Sequence, residues 1–127
     1  MSARDWLADF AARVRERDVD GALPLFDPAC LSFGTRVEVA RDRESLAADQ
    51  WTPIWHATTG FDFTEIETVA TGPDVVVAAT RWTSVADLDG RTRTGRATVV
   101  LRADPDAPHG WLCTHTHFSA PPDPEPL

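Results

Sequence analysis

Two histidines, His115 and His117, stand two residues apart in Trp111-Leu112-Cys113-Thr114-His115-Thr116-His117-Phe118-Ser119. The aromatic and β-branched content of this segment predicts a strand. Side chains alternate along a strand, so Trp111, Cys113, His115, His117 and Ser119 should share one face. Imidazole changes charge near neutral pH, which makes His115 and His117 candidate catalytic acid/base residues for proton transfer. The same pair could instead hydrogen-bond threonines or carboxylates on a neighbouring strand or across a dimer interface, and both readings stay open here. A metal site on this pair would need a third ligand from His56, Asp49 or Asp62. No spacing supports that, so no metal and no cofactor are expected. A nucleophilic Cys113–His115 pair lacks a third, orienting group. Cys30 and Cys113 fit no ligand spacing and read as buried free thiols.

Arg81 is the second residue whose position calls for chemistry. It interrupts the apolar run Val75-Val76-Val77-Ala78-Ala79-Thr80-Arg81-Trp82, and a charge there is costly unless it is paired or faces a wet cavity. Its ion-pair candidates are Asp49, Asp62 and Glu65. Trp51 and Trp55 lie one helical turn apart on one face, as core packing or as the aromatic wall of a pocket for a flat, apolar ligand.

Composition narrows the partners. The chain has 127 residues, a net charge of −8 and no lysine, every basic side chain being arginine. A basic face for nucleic acid or an anionic membrane is not expected, and Schiff-base lysine chemistry is ruled out. No window approaches a membrane helix, and the amphipathic start lacks the apolar run of a secretory signal. A cytoplasmic protein is therefore expected.

The elements that must position these residues read as helices first and strands afterwards. Trp6, Leu7, Phe10 and Val14 recur at helical spacing over residues 4–17, and Val19, Ala22, Leu23 and Phe26 continue in a shorter helix capped by Asp18 and stopped by Asp27-Pro28. Residues 31–34 read as a short strand or extended segment. Leu46, Ala47, Gln50, Trp51, Ile54 and Trp55 make a third helix, which Pro53 should kink or end early because proline cannot donate to the Asp49 carbonyl. Residues 61–70, 75–87, 92–103 and 111–119 read as strands, separated by turn signals of which Asp89-Gly90 is the strongest. Helices followed by hairpin-linked strands predict an α+β fold with helices covering one face of a mostly antiparallel sheet. Residues 1–120 should form one domain and residues 121–127 a Pro-rich tail.

This order resembles the nuclear transport factor 2-like, or SnoaL-like, superfamily. It is most similar to the association-domain group of calcium/calmodulin-dependent kinase II. The resemblance rests on Asp27-Pro28 before Leu31-Ser32-Phe33, Arg81-Trp82-Thr83, Gly90-Arg91-Thr92-Arg93-Thr94, and the terminal Trp111, His115, His117, Ser119 and Pro121. It implies a cone-shaped barrel, with three N-terminal helices in the concave face of a strongly curved sheet and an internal cavity. It further implies that Arg81 points into that cavity. The association domains' two other pocket arginines fall at Val99 and Phe118, which makes the cavity more apolar.

The site expected from this resemblance comprises Arg81, Trp51, Trp55, Phe118, Val99 and Thr116 as ligand-binding residues and His117, His115 and Asp49 as catalytic ones. A small apolar or aromatic ligand would bind, with acid/base chemistry of the isomerase, cyclase or dehydratase type. The alternative is a non-catalytic oligomerisation module. A homodimer through the outer sheet face is expected in either case. A ketosteroid-isomerase-like site would need a tyrosine donor, which the chain lacks. An Asp49–Arg81–Asp62 set would suit epoxide-hydrolase-like chemistry. If Phe118 faces inward, strand parity places Leu112, Thr114 and Thr116 inward with it and both histidines outward, unless a bulge intervenes.

Overall fold

The computed structural model describes residues 2–122, so much of the expected 121–127 tail lies outside the described residues. The first helix, α1 (Ala3–Glu16), starts in a capping box. The Ser2 hydroxyl accepts from the Asp5 N–H and the Asp5 carboxylate accepts from the Ser2 N–H, both at 3.3 Å. Arg17 ends it with a left-handed φ of 57°. The buried stripe of α1 is Trp6, Leu7, Phe10, Ala11 and Val14. A short helix α2 (Val19–Ala22) follows. The Asp18 carboxylate caps it by accepting the Gly21 N–H, and a 3-10 turn at Leu23–Leu25 completes it. Strand β1 (Phe26–Phe33) starts earlier than the sequence suggests, with Phe26 in the strand rather than in the preceding helix.

Pro53 acts in an unexpected way. Helix α3 (Arg43–Leu46) widens into a π turn over Ala47–Trp51 before resuming as α4 (Thr52–Trp55). Proline has no N–H for the carbonyl four residues back, and the chain accommodates this by a wider turn in which the Thr52 N–H reaches the Ala47 carbonyl. Trp51 and Trp55 stack, with ring centroids 4.9 Å apart and planes 14° from parallel.

Four strands follow: β2 (Thr58–Thr71), β3 (Val75–Ala86), β4 (Thr92–Ala103) and β5 (Trp111–Ser119). The sheet order is β1-β5-β4-β3-β2, antiparallel throughout except for the parallel β1–β5 pair. The fold is therefore α+β, with helices on one face of a curved sheet that does not close. The Asp89-Gly90 turn closes a five-residue loop in which only Gly90, at φ 67°, needs positive φ. Between Val100 and Leu101 the β4–β5 register slips by one residue. That bulge reverses parity halfway along β5: Trp111 and Cys113 face the helices upstream of it, and Thr116 and Phe118 do so downstream. The expected inward positions of Leu112 and Thr114 are thus overturned, while Thr116 and Phe118 stand.

Candidate functional site

The helix-covered face of the sheet is filled with aromatic rings. Phe10 is 2% exposed and its ring centroid lies 5.4–6.5 Å from those of Trp6, Phe26, Trp51, Trp55, Phe63 and Phe118. Trp51 and Trp55 are each 4% exposed and Val99 is fully buried. Trp82 closes the far end, its Nε1–H donating to the Arg96 carbonyl at 3.2 Å. Its ring lies so close over Gly95 that a Cβ there would overlap it, so this position requires glycine.

The polar groups on this side are few and uncharged: Ser32, Thr116, Thr80, Ser84 and Gln50 are the buried polar residues described. Thr116 donates to the Ser32 hydroxyl at 2.9 Å, and Thr80 donates to the Thr64 carbonyl at 2.9 Å. Among the described residues no buried side-chain nitrogen or oxygen lacks a partner. The two thiols, Cys30 and Cys113, are buried here. Burial pushes the Cys30 thiol up to about 11 and the Cys113 thiol well above its ordinary value, so both stay protonated and unreactive.

The ionisable candidates lie elsewhere. His115 and His117 project from the opposite face of β5, on either side of Phe33, each ring 5.4 Å from it and nearly perpendicular. His115 Nδ1 sits 2.6 Å from the Leu31 carbonyl. A carbonyl only accepts, so Nδ1 carries the hydrogen and this bond holds the ring against β1. Among the described residues the His117 ring has no hydrogen-bond partner. Asp49 is exposed on the helical side, in a recess formed with Arg36, Val37, Glu38, Ala48, Thr52 and Pro53. Asp49 therefore does not meet the histidines. Nor does it meet Arg81 or Asp62: Arg81 pairs with Glu65 at 3.1 Å, and Asp62 lies 3.7 Å from Arg15.

Arg81, which the resemblance places inside, sits outside. Thr80 and Trp82 take the inward positions on β3, and parity sends Arg81 to the outer face, where its side chain is 68% exposed. The structure brings Trp51, Trp55, Phe118, Val99 and Thr116 together on the concave side and leaves Arg81 and His117 together on the convex side.

Register orders that outer face into rows. Arg81 stands opposite Arg96, and Arg96 opposite Ser119; the next row runs Glu67, Ala79, Thr98, His117, Phe33. Beyond it come Val77, Val100, His115 and Leu31, then Val75, Arg102 and Leu112. Ala79 is the low point between taller neighbours. A recess of about 800 Å³ opens there, walled by Glu65, Glu67, Arg81, Arg96, His117 and Ser119. Sequence reading offers Glu65 as a partner of Arg81, and the pair forms; it missed Arg96 and Glu67 because cross-strand neighbours follow from hairpin register. The five-residue loop at 87–91 shifts that register by two residues, pairing Val85 with Thr92 where an Asp89-Gly90 two-residue turn would pair it with Thr94. It also missed Gln50, 8% exposed, whose amide holds the segment after β1. Its Oε1 accepts from the Arg36 and Val37 N–H groups at 2.8 and 2.9 Å, and its Nε2 donates to the Thr35 hydroxyl at 2.9 Å.

Among the described residues no group of three or more His, Cys, Asp or Glu converges as a metal site would require, and no helix is long and apolar enough to cross a membrane.

Residues 3–124 match the family model for the SnoaL-like domain. No curated protein matches the chain. Similar solved structures include a nuclear transport factor 2-like protein of unknown function from Pseudomonas putida, with TM-score 0.78 and 23% identity over 96% of this chain and 86% of that one. A protein from Xanthomonas campestris, provisionally named a calcium/calmodulin-dependent protein kinase II association domain, gives TM-score 0.73 and 20% identity over 94% and 83%. A provisionally named dehydratase of the same superfamily from Streptomyces avermitilis gives 0.71 and 19% over 92% of each chain. At these identities the likenesses describe the fold.

Proposed function

The chain belongs to the SnoaL-like family, and from that premise we propose a non-catalytic binding domain that works through the uncovered outer face of its sheet, two copies associating there. The observation that carries this reading is the separation of chemistry from cavity. The concave side is packed with rings and has no charged group among its described buried residues, while His115, His117 and Arg81 stand on the other face. Proton transfer in the cone would need an acid or base within hydrogen-bond reach of a bound molecule, and the buried groups there are hydroxyls, one amide and thiols held protonated. An apolar ligand in the cone, the use that the family resemblance suggests, would have to displace Phe10 or the Trp51–Trp55 stack.

Outside, Val75, Val77, Val100, Leu112 and Leu31 form, around His115 and Arg102, a largely apolar zone two rows deep with no helix upon it among the described residues. Val75 is 40% and Leu31 37% exposed. A stable pair buries about 800 Å² per partner. Two-fold pairing of such a face is self-complementary.

Sedimentation velocity tests the reading. The expected species has twice the 13.9 kDa chain mass, and Val77→Glu should give a folded monomer, since the carboxylate would be buried unpaired at the interface. A wild-type protein that stays monomeric up to about 100 μM, a concentration at which a micromolar dimer is largely formed, would overturn it.

A further inference from the structure

The row Arg81–Arg96–Ser119 contains two arginines directly opposite one another on one face of an antiparallel pair, a placement that costs free energy unless negative charge lies between them. Glu65 neutralises Arg81 from the side at 3.1 Å. Arg96 has no ion-pair partner among the described residues and makes one long bond, 3.5 Å, to the Ala120 carbonyl. Around it stand further donors, the Ser119 and Thr98 hydroxyls and the His117 ring, on the rows that border the Ala79 depression. On the opposite wall is Glu67, likewise without an ion-pair partner among the described residues. The strands carrying Arg96 and Glu67 are two positions apart in the sheet, roughly 10 Å. The recess thus presents one cationic and one anionic wall over a small-residue floor.

We propose that this recess binds a small zwitterion, an amino carboxylate. Its carboxylate is held by Arg96 with Arg81, Ser119 and His117 as neighbours, and its ammonium by Glu67. Arg96 supplies a planar, two-pronged donor that matches a carboxylate, and the bond is charge-assisted. Glu65 and Glu67 turn away polyanions. The open rim limits the affinity, because both ion pairs are partly solvated. The inference rests on the outer face being the working surface, but it uses the polar rows and not the valine rows assigned to self-association.

Amide NMR titration with 6-aminohexanoate, and with hexanoate as the analogue lacking the ammonium, tests it. Saturable shifts are expected at residues 79–81, 96–98 and 117–119. Arg96→Gln should weaken 6-aminohexanoate binding about tenfold, and Glu67→Gln should reduce it to the level of hexanoate. Arg13→Gln, which removes an arginine paired with Asp9 and Asp18 on the helical side, should leave it unchanged. The proposal is overturned if 6-aminohexanoate gives no saturable shifts, if Arg96→Gln and Arg13→Gln have equal effects, or if hexanoate binds as well as its amino analogue. Sedimentation of the same samples reports self-association separately, so one reading can fail while the other holds.

Discussion

Phe10→Ala separates a packed cone from a ligand-ready one. Phe10 is 2% exposed and its ring lies within 6.5 Å, centroid to centroid, of six other aromatic rings. Truncating a buried phenylalanine costs about 3–5 kcal/mol through lost transfer free energy and the void left behind. The ring-on-ring attractions that disappear with the phenyl group push the cost toward the upper end of that range. For a chain of this length 1 kcal/mol moves the melting midpoint by about 3–5 °C, so a fall of about 10–20 °C is expected. Thermal and urea melts followed by circular dichroism measure it. The void would be lined by rings and dry, so indole or benzene should raise the midpoint of Phe10→Ala and leave the wild type unmoved. Phe10→Leu, at about 1–2 kcal/mol, serves if the alanine variant does not fold. A cost below about 1 kcal/mol would refute the packing argument, because it would mean that the ring borders an existing cavity rather than filling the space. Stabilisation of the wild type by indole would refute it equally.

Gln50→Ala removes three hydrogen bonds to Thr35, Arg36 and Val37; a loss of about 1–3 kcal/mol and faster amide exchange at Arg36 and Val37 are expected. Asp18 is held below its usual carboxylate value by the Gly21 N–H and then by Arg13, and Asp27 by the Ala29 N–H and then by Arg102. With folded values lowered, the unfolded chain binds more protons in acid; the stability from these groups is complete above the unfolded value, 3.8, and is lost as pH falls through the folded values. Asp18→Asn and Asp27→Asn should each flatten the acid limb of a stability–pH curve, and an unchanged limb would dismiss these carboxylates as contributors. Cys30 and Cys113 should resist a disulfide reagent at pH 8 in the native protein and react at the rate of opening; fast labelling would contradict their burial.

The elements and the fold class are legible in the amino-acid order alone. The spacing of Trp6, Phe10 and Val14, the cap at Asp18, and the turn residues around Gly72 and Gly90 are local signals, and local signals are written in neighbouring residues. The shared face of Trp51 and Trp55 is legible too, because they lie one helical turn apart; the inward positions of Val99 and Phe118 follow from the family resemblance and not from spacing. Which face His115, His117 and Arg81 occupy is set by long-range packing. On β5 one extra residue, Thr114, opposite the Val100–Leu101 step of β4, changes the parity midway, and no composition signal marks it. Arg81 turns outward because Thr80 and Trp82 claim the inner face, where the Trp82 ring needs the space above Gly95 on the next strand. The recess itself depends on register. Glu67, Ala79, Thr98 and His117 come from four strands and become one row only when the hairpin loops fix the pairing, a long-range outcome of assembling the sheet.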